Sequence, residues 1–211
     1  MHGQRALGEA VCARLRAAGR RPFLIPVGGS SAAGTLGYIE MVAEMQAQAA
    51  AAGLAPFTDV ALACGSGGTA AGVALGVALA GLAARVTAYM VCDDEAYFSE
   101  HISALCAELG VAGTPELRFV QAKGAGYALA RPAELATLSA VARASGAVLD
   151  ACYTGKAAHA LLGEMAAAPE AWRGRRVLFL HTGGAAGNAG QAKELAAMLA
   201  AEEGGVQRLV L

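Results

Sequence analysis

The chain has 211 residues, of which 56% are hydrophobic, and its 16 Lys and Arg residues nearly balance 17 Asp and Glu residues. This length allows one domain whose core buries roughly 70% of the surface that the unfolded chain exposes. The formal net charge of −1 leaves no electrostatic footprint for nucleic acid or an anionic membrane. The composition therefore predicts a single domain over residues 1–211 with no nucleic-acid or membrane partner.

The spacing of the cysteine, histidine and apolar residues argues against a metal site, a disulfide framework and a membrane span. Five cysteines and four histidines are scattered without the spacing of a metal site or a disulfide framework. The alanine-rich segments are interrupted, as at Gly76, Gly81 and Arg85, before about 18 apolar residues accumulate. The N-terminus has no apolar signal core. We therefore expect no metal, no membrane span and a reducing, cytoplasmic location.

Helices and short apolar strands alternate along the sequence. In chain order we predict helix 4–18, strand 22–27, helix 35–52, strand 59–64, helix 69–82, strand 85–92, a helix reaching about residue 109, strand 117–120, helix 132–144, strand 146–149, helix 154–167, strand 176–181 and helix 189–201. This alternation is typical of an α/β fold with a parallel sheet and helices on both faces. Ligands of such folds bind at the carboxyl ends of the strands.

A glycine loop between strand 59–64 and the next helix carries the first chemical signal. It consists of Gly65, Ser66, Gly67, Gly68 and Thr69. Backbone N–H groups converge at such a helix N-terminus, no Cβ obstructs the approach, and the helix dipole favours an anion. The two hydroxyls add donors, so the predicted ligand is a phosphate. The alternative is a tight turn that binds nothing, because short glycine motifs have many false positives.

Several separated motifs in one order resemble a known family. They are residues 26–37 (PVGGSSAAGTLG), 65–72 (GSGGTAAG), 153–156 (YTGK) and 181–184 (HTGG). Together they resemble the pyridoxal-phosphate enzymes of the D-cysteine desulfhydrase and 1-aminocyclopropane-1-carboxylate (ACC) deaminase family. This resemblance implies the tryptophan-synthase-β-like fold, fold type II. It runs through nearly all of the chain and corresponds to the C-terminal two-thirds of a family member.

The resemblance implies roles for individual residues. The loop 65–69 matches the cradle for the phosphate of pyridoxal 5′-phosphate. Tyr127 matches a tyrosine beside cofactor and substrate, and Tyr153 matches an active-site tyrosine near the substrate amine and leaving group. Packing against the sheet edge is the alternative for both rings. Lys156 is the last residue of the 153–156 motif but does not match the family's Schiff-base lysine.

Two threonines match positions from which the family contacts the pyridine nitrogen. They are Thr154 and Thr182, with Gly183 in the same turn as the second. The deaminase branch carries Glu and Leu there, whereas a threonine hydroxyl gives a neutral hydrogen bond and a weaker electron sink. Elimination of thiolate tolerates a weaker sink better than opening a cyclopropane ring does. The pair therefore resembles the desulfhydrase branch, which converts D-cysteine to pyruvate, sulfide and ammonia. The alternative is that both threonines only cap helices, and capping is compatible with either branch.

The family's Schiff-base lysine has no counterpart in the sequence. In the family it lies well upstream of the 26–37 motif in a Gly-Asn-Lys context, and a Ser-Asn-His loop follows it. Met1 lies only 25 residues before Pro26, and Lys123, Lys156 and Lys193 stand in other contexts. We therefore expect the N-terminal part and most of the small domain to be absent. We also expect that these 211 residues alone do not eliminate thiol from D-cysteine.

The sequence leaves open whether the chain is itself an enzyme. Residues 65–70 also satisfy a loose dinucleotide fingerprint, and Asp93 could then hold a ribose. ACC deaminase-like ring opening is another alternative, as is a non-catalytic phosphate-binding or subunit-interaction fragment. The resemblance implies a small amino-acid substrate and, for a full-length protein, a homodimer.

Overall fold

The computed structural model describes residues 2–201. In chain order its elements are α1 (His2–Ala17), α2 (Ala32–Ala51), β1 (Asp59–Cys64), α3 (Gly68–Leu79), β2 (Arg85–Met90), α4 (Glu95–Glu108), β3 (Arg118–Gln121), α5 (Pro132–Ser145), α6 (Thr154–Ala167), α7 (Pro169–Trp172), β4 (Val177–Leu180) and α8 (Ala192–Ala201). Short 3-10 turns lie at Val27–Gly29 and Ala185–Gln191. No helix of the described residues is long and apolar enough to cross a membrane.

The four strands form one parallel sheet in the order β3-β2-β1-β4. Parallel neighbours cannot be joined by a tight hairpin, so helices such as α3 and α4 carry the chain back between strands. Because all four strands run in the same direction, their carboxyl ends meet at one edge. The predicted α/β fold with a parallel sheet is confirmed.

Helices cover both faces of this sheet. Along β1, Val60, Leu62 and Cys64 belong to a core cluster with α3 and α4, whereas Ala61 and Ala63 pack with α6. Successive side chains of a strand point to opposite faces, so this alternation places the two helical layers on opposite sides. All six residues of β1 are buried, as expected for a central parallel strand.

The predicted strand at 22–27 is wrong. This segment has no ladder to another strand among the described residues, and its Phe23 and Ile25 side chains are 87% and 70% exposed. Pro22 and Pro26 have no N–H to donate, which removes two positions from any ladder. An apolar β-branched run favours extended backbone, but a strand also requires the backbone of a neighbour.

The predicted strand at 146–149 is also wrong. The carbonyls of Val148 and Leu149 accept hydrogen bonds from two side chains, His181 Nε2 at 3.0 Å and Asn188 Nδ2 at 3.0 Å. These side chains occupy acceptors that a neighbouring strand would use, so the segment lies beside the sheet as irregular backbone. The predicted helix 189–201 begins instead as the 3-10 turn and becomes α-helical at Ala192.

Candidate functional site

A cavity of about 550 Å³ lies at the carboxyl edge of the sheet. Its walls come from the segments that follow β1, β2 and β4 and from the start of α6. Eight residues predicted from the sequence line it: Gly65, Ser66, Gly67, Thr69, Tyr127, Tyr153, Thr182 and Gly183. The structure therefore brings together segments that are more than 100 residues apart in the chain. Gly68 and Thr154 were also predicted but lie outside this lining.

The glycine loop presents the start of α3 to the cavity. Gly67 adopts a left-handed φ of 93°, which glycine tolerates and other residues rarely adopt. The first intrahelical hydrogen bond runs from Ala71 N to Gly67 O at 2.9 Å. The N–H groups of Gly68, Thr69 and Ala70 precede that bond, and no side chain within residues 2–201 caps this helix end. The arrangement favours an anion in the cavity.

Gly68 packs closely against Ser30 and does not line the cavity. A Cβ on Gly68 would lie 2.7 Å from Ser30 Oγ. The same Ser30 hydroxyl donates to Ser66 O at 2.9 Å and lies 3.2 Å from His101 Nε2. Because that hydroxyl proton is used on Ser66, His101 is assigned as the donor to Ser30. Burial lowers the pKa of His101, which agrees with a neutral ring at this position.

Two tyrosines form the opposite wall. The hydroxyls of Tyr127 and Tyr153 are hydrogen-bonded, and their ring centroids are 5.8 Å apart in an edge-to-face arrangement. Desolvation is the main cause of a raised pKa at Tyr153, and the hydrogen bond to Tyr127 raises it further. Tyr153 therefore remains a protonated phenol throughout the physiological range.

A buried carboxylate holds Tyr153 in place. Asp150 Oδ2 accepts from the backbone N–H groups of Cys152 and Tyr153, at 2.8 and 2.7 Å. Asp150 Oδ1 accepts from the backbone N–H and the hydroxyl of Thr154, at 2.8 and 2.6 Å. The Thr154 hydroxyl also accepts from Asp150 N, so it is occupied on both sides. This explains why Thr154 does not line the cavity.

The turn after β4 brings Thr182 and Gly183 into the lining. Gly183 N donates to His181 Nδ1 at 3.2 Å, while His181 Nε2 donates to Val148 O. Gly184 has a φ of 100°, and a Cβ there would lie 2.9 Å from Asp150 Cγ. Asp150 therefore contacts both the turn that carries Thr182 and the start of α6.

The sequence did not single out several lining residues, among them Tyr38, Cys64 and Cys92. Burial raises the pKa of the Cys64 thiol to about 12 and that of the Cys92 thiol to about 11. Cys92 Sγ also donates to Gly65 O at 2.9 Å. For Cys64 and Cys92 the available signal was their position as the last residue of a predicted strand. For Asp150 the signal was an Asp four residues before Thr154 at a helix start.

The lysines of the described residues do not line the cavity. Lys156, whose side chain is fully buried, donates to backbone carbonyls instead. Lys193 lies on the exposed side of α8. Within residues 2–201 there is also no group of three His, Cys, Asp or Glu side chains that could hold a metal ion.

Comparisons with known proteins identify the family. The family model described as "Pyridoxal-phosphate dependent enzyme" matches residues 2–183. A mitochondrial bifunctional D-cysteine desulfhydrase/ACC deaminase from Arabidopsis thaliana is 40% identical over 203 residues, which are 93% of this chain and 50% of that protein. A D-cysteine desulfhydrase from Yersinia enterocolitica is 36% identical over 182 residues, 82% of this chain and 53% of that protein.

A solved structure supports the same assignment. The crystal structure of an ACC deaminase homologue matches with a TM-score of 0.79 and 30% identity, over 92% of this chain and 59% of that one. The chain spans about half the length of the curated relatives that it matches. Family membership favours pyridoxal phosphate over the dinucleotide alternative. The chain thus belongs to the pyridoxal-phosphate dependent enzyme family, in which D-cysteine desulfhydrases and ACC deaminases are its relatives.

Proposed function

We propose that this chain forms the phosphate-binding and ring-binding part of a pyridoxal-phosphate dependent lyase of the D-cysteine desulfhydrase type. The observation that carries the proposal is the meeting of the glycine loop, both tyrosines and Thr182 in one cavity. When bound, pyridoxal phosphate would stabilise the negative charge that develops on the substrate during elimination. The overall reaction would convert D-cysteine and water to pyruvate, hydrogen sulfide and ammonia.

The glycine loop suits the phosphate group. The N–H groups of Gly68, Thr69 and Ala70 are at the positive end of α3, and Ser66 and Thr69 add hydroxyl donors. Because glycine has no Cβ, the backbone of this loop remains accessible to a ligand. The volume of about 550 Å³ lies within the range of small-molecule sites. These features support Gly65, Ser66, Gly67, Gly68 and Thr69 as the cradle, with Gly68 contributing backbone only.

The tyrosine pair suits a hydrogen-bonding role. Its raised pKa keeps the Tyr153 hydroxyl protonated, so it can donate a hydrogen bond to a departing sulfur. Tyr127 accepts from or donates to that hydroxyl and thereby orients it. We propose that Tyr153 is the catalytic residue that faces the leaving group and that Tyr127 lies beside it.

Thr182 is the proposed partner of the pyridine nitrogen, with Gly183 beside the ring. The expectation for Thr154 receives no support from the geometry, because its hydroxyl is bonded to Asp150 on both sides. A neutral partner at Thr182 favours thiolate elimination over ring opening. ACC deaminase-like ring opening is the second candidate, because the name of the Arabidopsis relative covers both activities.

The positions of the lysines lead to a proposal about how the cofactor is bound. Within the described residues no lysine lines the cavity, so we propose that the 211-residue chain binds pyridoxal phosphate without a covalent bond. We further propose that this chain alone does not release sulfide from D-cysteine. Borohydride treatment followed by mass spectrometry tests this, since reduction would attach the cofactor permanently to a lysine if an imine formed. A reduced adduct on Lys123, Lys156 or Lys193 would overturn it.

Thermal unfolding with three ligands tests the cofactor assignment. Pyridoxal phosphate should raise the unfolding midpoint, because a ligand stabilises the state that binds it. Pyridoxal, which lacks the phosphate, and NAD should have little effect. Thr69→Ala should weaken pyridoxal phosphate binding about tenfold, the cost of one hydrogen bond to a charged group. Thr114→Ala, in an exposed loop, is the matched control. Stabilisation by NAD, or equally by pyridoxal, would contradict the proposal.

Partners and location are part of the same proposal. We propose a small amino-acid substrate and a homodimer, which sedimentation of the protein would test. All five cysteines are free thiols, which supports a reducing compartment, and we propose the cytoplasm. The Arabidopsis relative is described as mitochondrial. Cell fractionation distinguishes these compartments.

A further inference from the structure

Lys156 lies beneath the loop that carries Tyr127, and its side chain is fully buried. Its Nζ donates to three backbone carbonyls: Lys123 O at 2.6 Å, Gly126 O at 2.9 Å and Leu129 O at 2.8 Å. Three acceptors need three donors, and only the charged ammonium form of lysine supplies three. The hydrogen-bonding capacity of this ammonium is therefore used entirely on one segment, residues 123–129.

A buried carboxylate compensates this charge. Glu134 is 1% exposed, and its Oε2 lies 3.7 Å from Lys156 Nζ. The same oxygen accepts from Arg131 N at 2.7 Å. A Cβ on Gly124 would lie 2.3 Å from Glu134 Oε1, so the loop also packs closely on this carboxylate. Burying a charge is costly unless a partner and hydrogen bonds compensate it, and both are present here.

The backbone of the loop has a positive φ at three positions. Gly124 and Gly126 have φ values of 64° and 149°, and Ala128 has a φ of 59°, a region that alanine rarely adopts. Such conformations persist only where surrounding contacts enforce them. Without the ammonium, three carbonyl oxygens would converge on a space that contains no donor.

We propose that Lys156 is the positioning residue for Tyr127. Its ammonium acts as an internal cation around which residues 123–129 fold, and this holds Tyr127 within hydrogen-bonding reach of Tyr153. Lys156 itself lies on α6, three residues after Tyr153, so one side chain joins both halves of the tyrosine wall.

Limited proteolysis at lysyl bonds tests this without any cofactor. Lys156→Met removes the charge and keeps an apolar chain of similar length, which leaves the bonds after Lys123 and Lys193 as sites. Cleavage after Lys123 should accelerate about tenfold or more, because proteolysis follows the population of the locally opened state. Cleavage after Lys193, on exposed α8, should change much less and serves as the internal reference, although the hydrogen bond from Gln191 Nε2 to Ala128 O joins this region to the loop. The control Lys193→Met should leave the bond after Lys123 protected.

Cation rescue distinguishes positioning from general stability. Lys156→Ala leaves room for a small cation, so methylammonium at constant ionic strength should restore protection of the bond after Lys123. Tetramethylammonium, which has no N–H donor, should not restore it, and neither cation should rescue Lys156→Met. Continued protection in Lys156→Met would overturn the proposal. So would equal acceleration at both bonds, or a failure of methylammonium to protect the alanine variant.

Discussion

The ring of Tyr153 lies directly on the backbone of Gly65, so that a Cβ on Gly65 would be only 2.7 Å from Tyr153 Cε1. Gly65 O accepts from Cys92 Sγ on β2's side of the loop, which leaves the glycine little freedom to retreat. The proposed phosphate loop and the tyrosine wall are therefore one packed unit. A substitution in the loop should therefore shift the position of the Tyr153 ring, and a substitution of Tyr153 should shift the loop.

Gly65→Ala should displace the Tyr153 ring. We expect the free energy of unfolding to fall by about 1–3 kcal/mol, the usual cost of overpacking, and pyridoxal phosphate binding to weaken with it. Urea unfolding and ligand titration measure the two effects. Gly163→Ala is the control, because a Cβ at this exposed position of α6 meets nothing within 4 Å. There we expect stabilisation by about 0.5–1 kcal/mol from helix propensity. Equal effects at the two glycines would refute the packing argument.

Tyr127→Phe should lower the pKa of Tyr153. The hydrogen bond to Tyr127 raises that pKa, so its removal makes ionisation of Tyr153 easier, although desolvation still keeps the pKa above its ordinary value. An alkaline titration followed by tyrosinate absorbance measures this, with Tyr153→Phe used to assign the transition. Tyr38→Phe also removes a lining tyrosine and should leave the transition in place. A Tyr153 transition at unchanged or higher pH in Tyr127→Phe would contradict the pairing.

Asp150→Asn should strongly destabilise the protein. The carboxylate accepts four hydrogen bonds, and the amide would turn an NH₂ group toward two of those donors. We expect a loss of about 3 kcal/mol in the free energy of unfolding, measured with urea. Asp94→Asn is the matched control, because Asp94 caps α4 by accepting from Tyr97 N and asparagine caps about equally well. The hypothesis fails if both variants are equally stable.

The buried thiol of Cys64 should make the protein less stable in alkali. Its pKa is about 12 in the folded chain against 9.0 ordinarily, so between these values only the unfolded state has lost the proton. Unfolding is then increasingly favoured as pH rises through that window, by about 1.4 kcal/mol at roughly pH 10 relative to neutral pH. Urea unfolding of wild type and Cys64→Ala at both pH values measures the difference.

Alkylation checks the burial of Cys64 that causes this effect. Because the thiolate is the nucleophile, folded Cys64 should react slowly with iodoacetamide near neutral pH and quickly after denaturation. An alkaline slope that persists undiminished in Cys64→Ala would assign the effect to other groups, such as Cys92, whose pKa is raised in the same direction.

The glycine loop was predictable because its parts are contiguous in the chain. The strand Asp59–Cys64, the glycines after it and the helix that begins at Gly68 are neighbours in sequence, and their local chemistry predicts an anion site. The alternation of apolar strands with helices likewise predicted the parallel sheet and the edge at which the cavity lies. Tyr127 and Thr182 entered only through the resemblance of several ordered motifs.

Pairing over long distances could not be predicted in the same way. Whether residues 22–27 or 146–149 become strands depends on a neighbouring backbone, and no local property of those residues supplies one. The hydroxyl of Thr154 looked available from the sequence, but its orientation toward Asp150 removes it from the cavity.

The sequence alone determined the fold class and the family and predicted a phosphate loop, because periodicity, glycine content and motif order can be read directly along the chain. Only the tertiary structure decided what the buried charges do. In the sequence Lys156 is a single lysine in an alanine-rich helix. Its three carbonyl partners lie 27 to 33 residues away along the chain. A buried ammonium must find acceptors wherever the fold places them, so its role follows from packing and not from its neighbours in sequence.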